Sequence, residues 1–123
     1  GTTVFPSFWL RESAFTLDWA VDTAEQVADV MAAHDALGHT QGIVVANPIP
    51  ADQAWQRDEH DRVLTTAFAE AERQGIRGKA VTPFLLGRIV ELSEGRSLEV
   101  NLDLARNNVH VAGRIAAAWS ARA

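Results

Sequence analysis

A long apolar stripe near the carboxyl end constrains the fold more than any other feature of the chain. Apolar side chains recur there with spacings of 4, 3, 4, 3, 4 and 3 residues, at Leu98, Leu102, Ala105, Val109, Ala112, Ala116 and Trp119. This spacing places all of them on one face of an α-helix. Ser97 is the expected N-cap, and Glu99 lies where its charge favours the helix dipole. We therefore expect a long last helix whose stripe faces a hydrophobic core.

Three further helices are predicted upstream of this one. Thr23 begins the first, and Gln26 is placed to complete a capping box. The second has an apolar face made of Val63, Leu64, Ala67, Phe68 and Ala71. Thr82 is the expected N-cap of the third, followed by Pro83 at its first helical position. Each of the three is predicted to end at a glycine, namely Gly38, Gly75 and Gly95.

The first half of the chain carries strand signals. Residues 1–10 are β-branched and aromatic but interrupted by Pro6, which predicts a short strand running into a loop. Residues 15–21 alternate well enough for a second strand, and residues 42–46 form the continuous apolar run of a strand buried on both faces. Strand, helix and strand predict a βαβ unit followed by a helical C-terminal half, an α/β fold. Ligands of such sheets bind beyond the carboxyl ends of the strands, where Asn47 would lie.

Composition excludes several classes of protein. The chain has 11 Lys+Arg against 16 Asp+Glu, a net charge of −5 that disfavours binding to a nucleic-acid duplex. It has no cysteine, and therefore neither disulfides nor thiolate chemistry. Nothing resembles a membrane-spanning run or a secretion leader, so we expect a cytoplasmic protein.

No linker interrupts residues 1–123, which predicts no internal domain boundary. The early aromatics Phe5, Phe8 and Trp9 either pack on the later helices or meet something larger that covers them.

Few residues carry chemistry by their spacing alone. The four histidines, at positions 34, 39, 60 and 110, lack metal-ligand spacing, and the acidic run at 58–61 reads as a solvated first helical turn. The Gly75–Lys79 stretch does not have the spacing of a P-loop, although Lys79 and a nearby helix start could hold an anion. Asn101 and Asn108 are seven residues apart, so they flank the apolar stripe on one side of the helix. They indicate either structural hydrogen bonds or a ligand-binding edge, whereas Asn107 is expected to be exposed.

Several runs together resemble the C-terminal part of pseudouridine-5′-phosphate glycosidase. The matching stretches, in order, are Gly1-Thr-Thr, Phe5-Pro-Ser-Phe8, Arg11, Val44-Val-Ala-Asn-Pro-Ile-Pro50, Gln74-Gly-Ile-Arg-Gly-Lys79, Thr82-Pro-Phe-Leu-Leu86, Arg88, Glu91-Leu92, Gly95, Ser97-Leu98, Asn101, Leu104 and Asn107-Asn108. The resemblance implies that this chain is the last segment of a larger α/β/α fold. It also implies an enzyme that reversibly cleaves or forms the C–C glycosidic bond between ribose 5-phosphate and uracil.

The resemblance also implies where the catalytic, metal-binding and substrate-binding residues lie along the sequence. In the family a lysine forms a Schiff base with the opened sugar, an acid donates a proton and Mn²⁺ supports the site. All these groups lie upstream of the stretch that begins at Gly1, so we expect no catalytic residue and no metal ligand in this chain. Asn101 matches an asparagine that contacts the sugar phosphate, and Asn47, Thr82 and Asn108 are expected to be its neighbours in the substrate pocket. The family also implies a homotrimer and a missing N-terminal portion as partners.

Three positions depart from the family pattern: Ala20, Ala80 and Glu94, the last replacing a turn glycine. These changes leave the acceptor open, and a C-glycosynthase that joins ribose 5-phosphate to another aromatic acceptor in natural-product biosynthesis is the main alternative. A non-catalytic interaction module that binds a protein through Phe5, Phe8 and Trp9 is the second. We expect Gly1 to mark a truncation or processing point in a longer chain.

Overall fold

The computed structural model describes residues 1–122 and is mainly helical in its second half. Four α-helices follow one another: α1 (Ala24–Ala36), α2 (Arg57–Arg73), α3 (Val81–Leu92) and α4 (Arg96–Ser120), with a short 3₁₀ helix (Gly78–Ala80) before α3. Helix α1 packs against α4, α2 packs against α3, and α3 contacts α4. The predicted helical C-terminal half is therefore confirmed. None of the helices within residues 1–122 has the length and apolar character needed to cross a membrane.

The signals at the start of α1 and the end of α2 act as expected. The Thr23 hydroxyl accepts from the backbone N–H of Gln26 at 3.2 Å, and the Gln26 side chain accepts from the backbone of Asp22 and Thr23. This capping box satisfies amide groups that the first helical turn leaves unpaired. Gly75 follows α2 with a positive φ of 65°, a conformation that glycine adopts without a steric penalty.

The starts of α3 and α4 differ from the prediction. Helix α3 begins at Val81, with Ala80 as N-cap and no side-chain cap, because the 3₁₀ turn leads directly into it. Thr82 is therefore inside the first turn. Helix α3 ends at Leu92, and the Gly95 N–H closes its last turn by donating to the Val90 carbonyl at 2.9 Å. Gly95 is also the N-cap of α4, with φ 88°. Ser97 is not the cap: its backbone N–H donates to the Ser93 hydroxyl at 3.1 Å.

The βαβ unit is not formed within residues 1–122. Val4 and Thr16 make a single antiparallel bridge, and the segment at 42–46 is extended but pairs with no other strand in the described part of the chain. Val44, predicted to be buried, has 88% of its surface exposed. A lone extended segment cannot satisfy its own backbone N–H and C=O groups, so a strand forms only where a neighbouring strand pairs with it.

The buried core lies on the side of α2 and α3. We call it the inner cluster; its members are Leu10, Ile49, Trp55, Val63, Ala67, Ile89 and Val100. Trp9 packs against it and donates its indole N–H to the Ser97 carbonyl at 3.0 Å. Phe5 and Phe8 remain exposed. Trp9 therefore packs on the later helices, as the first alternative expects, whereas the second alternative stays a prediction for Phe5 and Phe8.

The stripe on α4 does not face this core. All seven of its residues are exposed, Val109 at 74%, whereas Val100, Leu104, Val111 and Ile115 lie on the less exposed side of the helix. Those four residues also have helical spacing, so α4 is apolar on more than one face. A pattern of apolar residues identifies a face fit for burial, but the available neighbours decide which face is covered.

Candidate functional site

Two of the predicted site residues meet where the extended segment passes α4. The Asn47 side chain donates from Nδ2 to Oδ1 of Asn108 at 2.9 Å, across 61 residues of sequence. Asn47 is half-buried and Asn108 is exposed. Each carboxamide has a donor and an acceptor group, so a single bond between them leaves a free acceptor on one and free donor capacity on the other. The pair therefore forms a polar edge open to a ligand.

The loop that carries Asn47 is held at its carbonyl groups. The Pro48 carbonyl accepts from Nδ2 of Asn107 at 3.3 Å, and the Ile49 carbonyl accepts from a guanidinium nitrogen of Arg11 at 2.6 Å. The Ile49 side chain is fully buried in the inner cluster. The expectation that Asn107 is exposed was wrong, because this bond turns its side chain toward the loop and leaves it half-buried. Sequence spacing gave no signal for the Arg11 bond.

Asn101 and Thr82 lie apart from this pair. Asn101 is half-buried on α4, seven residues before Asn108, or about 10 Å along the helix axis. Thr82 is exposed in the first turn of α3. Within residues 1–122 no side-chain hydrogen bond joins either residue to Asn47 or Asn108. The four predicted residues thus form one bonded pair and two separate positions.

An open groove of about 600 Å³ lies next to Asn47. Its walls come from the N-terminal segment, α1, the extended segment and the second half of α4, and its surface is mostly apolar. Arg11 and Arg114 contribute positive charge, and Trp19, Val44 and Ile115 contribute apolar surface. The polar edge therefore borders a largely apolar groove.

An ion pair between α2 and α3 lies away from the asparagines. Arg88 on α3 donates to both carboxylate oxygens of Glu70 on α2, at 2.5 and 3.1 Å, and also to Glu91 at 2.7 Å. These bonds lower the pKa of Glu70 and raise that of Arg88. The pair ties α2 to α3 and has the geometry of a structural contact.

The histidines and the lysine form no catalytic set in the described residues. His60 was expected in a solvated turn, but it is buried against Trp9 and Trp55, with Nδ1 2.7 Å from a carboxylate oxygen of Asp61. The rings of His34 and His39 lie 5.1 Å apart. Residues 1–122 contain no group of three or more side chains placed to hold a metal ion. Lys79 is exposed on the 3₁₀ turn.

Comparison with known structures defines the class of fold. The chain superposes on the prealnumycin C-glycosynthase AlnA, solved in complex with ribulose 5-phosphate, with a TM-score of 0.80 and 24% identity over 95% of this chain and 40% of that one. At this level of identity the likeness concerns the fold. An indigoidine synthase A-like protein of Thermotoga maritima gives a TM-score of 0.75 and 34% identity, covering 94% of this chain and 37% of that one.

Residues 1–118 match the family described as Indigoidine synthase A like protein, and the chain belongs to that family. A pseudouridine-5′-phosphate glycosidase of Frankia alni is 55% identical over 121 residues, 98% of this chain and 34% of the relative. One of Lysinibacillus sphaericus is 42% identical over 120 residues, 98% of this chain and 40% of the relative. The chain thus spans between a third and two fifths of the length of these relatives, and the resemblance found in the sequence is confirmed.

Proposed function

We propose that this chain is the C-terminal portion of an enzyme that reversibly cleaves or forms the C–C glycosidic bond between ribose 5-phosphate and uracil. The observation that carries the proposal is the 55% identity to a pseudouridine-5′-phosphate glycosidase over 98% of the chain. In this proposal residues 1–123 are one segment of a single glycosidase domain, without an internal boundary, and the protein is cytoplasmic.

The catalytic lysine and acid are assigned to the N-terminal portion. A C–C glycosidic bond has no heteroatom that could be protonated as a leaving group, so an iminium electron sink is required, and a lysine supplies it. The one lysine of this chain, Lys79, is exposed, and its surroundings support no catalytic role. The described residues do not fit a Mn²⁺ site, since no three ligating side chains converge. Mn²⁺ stays a prediction whose ligands lie outside this chain.

The role of this chain is to bind substrate. Asn47 and Asn108 present one free acceptor and free donor capacity at an open edge, and Asn101 adds a half-buried carboxamide on the same helix. Neutral carboxamides of this kind orient sugar hydroxyls or the carbonyl and N–H groups of a base. Thr82 is assigned a peripheral place in the pocket, since it is exposed at the start of α3.

Further polypeptide is needed to complete the site. The apolar groove and the exposed stripe of α4 are the surfaces that such a polypeptide would cover. We assign this cover to the N-terminal portion and to neighbouring subunits of a homotrimer.

The first test measures cleavage of pseudouridine 5′-phosphate in the presence of Mn²⁺. The chain alone is expected to be inactive, and the chain combined with the N-terminal portion of the Frankia alni relative is expected to be active. The N-terminal portion alone is the control. Turnover by the isolated 123 residues would contradict the proposal.

The second test concerns Asn101 in the combined enzyme. Asn101→Ala is expected to raise KM for the phosphorylated sugar about tenfold, because a ligand hydrogen bond is lost. Arg106→Ala is the matched control, since Arg106 lies on the same helix and pairs with Asp103. Unchanged kinetics in Asn101→Ala would remove Asn101 from the site.

Two alternatives have specific support. Ala20, Ala80 and Glu94 depart from the family pattern, and the fold also occurs in a C-glycosynthase, which favours a different aromatic acceptor. Exposed Phe5 and Phe8 favour a non-catalytic module that binds a protein. Turnover of uracil compared with other aromatic acceptors tests the former. Calorimetric titration of the chain combined with the N-terminal portion of the Frankia alni relative, using ribose 5-phosphate with and without Mn²⁺, tests the latter, since a non-catalytic module would add no binding heat to that of the N-terminal portion alone.

A further inference from the structure

The loop at residues 47–50, which we call the Asn47 loop, accepts hydrogen bonds at two consecutive carbonyl groups from side chains in different parts of the chain. Asn107, on α4, donates to the Pro48 carbonyl, and Arg11, in the N-terminal segment, donates to the Ile49 carbonyl. These contacts span 59 and 38 residues of sequence. The Ile49 side chain fills the inner cluster from the same loop. The loop is thus held at its carbonyls and through one buried side chain.

The proline content of the loop explains why carbonyl groups serve as the anchors. Pro48 and Pro50 have no backbone N–H, so half of the usual backbone bonding capacity is missing at these positions. Their rings also hold the preceding residues, Asn47 and Ile49, in extended conformations. A stiff extended loop keeps its shape but needs external contacts to fix its position relative to α4. Arg11 and Asn107 supply those contacts.

We propose that Arg11 and Asn107 are positioning residues that hold Asn47 against Asn108, so that this carboxamide pair is ready to receive the substrate. The inference rests on the proposed function for the nature of the substrate. The hydrogen bond between the two carboxamides spans 2.9 Å and requires the loop and α4 to stay in register. Asn107 and Asn108 are adjacent, so one turn of α4 both anchors the loop and supplies the partner of Asn47.

The pair selects a substrate group that has both a donor and an acceptor. Whichever carboxamide donates the shared bond, one oxygen of the pair and N–H groups of the other stay free. A hydroxyl or an imide edge satisfies both. A doubly ionised phosphate offers acceptors alone, and its oxygens would face the free carboxamide oxygen. The proposed occupant is therefore a sugar hydroxyl or the base edge and not the phosphate group.

The loop itself is tested by hydrogen exchange in the 123-residue chain. In Arg11→Gln and Asn107→Ala the backbone amides of Gln53 and Ala54, which donate to the Pro50 carbonyl at the end of the loop at 3.1 Å, are expected to exchange about tenfold faster, because a carbonyl anchor of the loop is lost. Arg11→Lys, which keeps a cationic donor, is expected to restore part of the protection. Asn108→Ala and Arg106→Ala leave both anchors in place and are the controls. Unchanged exchange in both anchor variants would overturn the proposal, provided that their circular dichroism matches wild type.

The link to substrate is tested in the combined enzyme. Arg11→Gln and Asn107→Ala are expected to raise KM about tenfold while changing kcat less, and Arg11→Lys is expected to recover part of the loss. Asn108→Ala is expected to raise KM without faster loop exchange. Faster loop exchange with unchanged KM would overturn the positioning role. If the wild-type combination does not cleave pseudouridine 5′-phosphate, the proposed function fails, and the exchange measurements still decide whether Arg11 and Asn107 hold the loop.

Discussion

Two apolar regions of the chain have similar composition but opposite surroundings. In the inner cluster, Ile49, Ala67 and Val100 have no exposed surface. In the region around the extended segment, which we call the open face and which includes Trp19, Ile43 and Val44, Val44 and Trp19 have 88% and 87% of their surface exposed. Hydrophobicity alone therefore does not place a residue in the core. The difference lies in whether the chain provides neighbours for it.

The order of elements explains which region is covered. Helices α2, α3 and the start of α4 follow one another through short connections, so their apolar faces meet within the chain. The segment at 42–46 can form a strand only beside a pairing partner, and within residues 1–122 none is formed beside it. The relatives are much longer than this chain, which covers 34% and 40% of two of them. In the proposed function, the open face belongs to the surface that we assign to the N-terminal portion and to neighbouring subunits.

The largest expected effect compares the same substitution in the two regions. Ile49→Ala is expected to lower the free energy of unfolding by about 2–5 kcal/mol, because it empties a fully buried site. Ile43→Ala, in the open face, is expected to lower it by less than about 1.5 kcal/mol, because 41% of this residue is already exposed to water. Urea unfolding of both variants measures the difference. Equal losses would show that the open face is covered in solution and would remove the distinction.

The turn between α3 and α4 gives a smaller effect inside the covered region. Gly95 has φ 88°, and an added Cβ would meet no atom within 4 Å, so Gly95→Ala tests backbone strain alone. We expect a loss of about 1–2 kcal/mol. Glu94 has φ 50°, and Glu94→Gly is expected to stabilise by up to about 1 kcal/mol, less the added entropy of the unfolded chain.

The two substitutions in this turn act in opposite directions, so each serves as the control of the other. Thermal unfolding of the two variants beside wild type provides the measurement. A destabilised Glu94→Gly would mean that the glutamate side chain, and not its backbone, matters in the turn.

Local signals in the sequence predicted local structure well. The Thr23–Gln26 capping box and the position of Gly75 after α2 depend on a few adjacent residues, and both are confirmed. The prediction that Ser97 is the N-cap of α4 was wrong. The connection between α3 and α4 has only 3 residues, so the Ser93 hydroxyl reaches the Ser97 amide and Gly95 is the N-cap. Which of these residues becomes the N-cap depends on the path of the backbone, and the sequence pattern does not specify that path.

Long-range structure was harder to predict. The stripe from Leu98 to Trp119 has helical spacing, but which face of α4 is covered depends on elements distant in sequence. Asn47 and Asn108 could be named through the family resemblance, whereas their mutual bond could not. The bond from Arg11 to the Ile49 carbonyl has no sequence signature, because any backbone carbonyl can accept it.

The smallest expected effect tests whether the stability of the contact between α2 and α3, in the covered region, depends on pH. The bonds from Arg88 lower the pKa of Glu70 below its usual value of 4.5. A carboxyl whose pKa is lower in the folded state stabilises the fold above its unfolded pKa, and this contribution is lost as the pH falls through the folded value. Glu70→Gln is therefore expected to lower Tm at about pH 6, and the difference from wild type is expected to shrink toward about pH 3. Glu72→Gln, on the exposed side of the same helix, is the matched control. A difference between wild type and Glu70→Gln that stays constant with pH would mean that the α2–α3 contact depends on packing and not on the charge of Glu70.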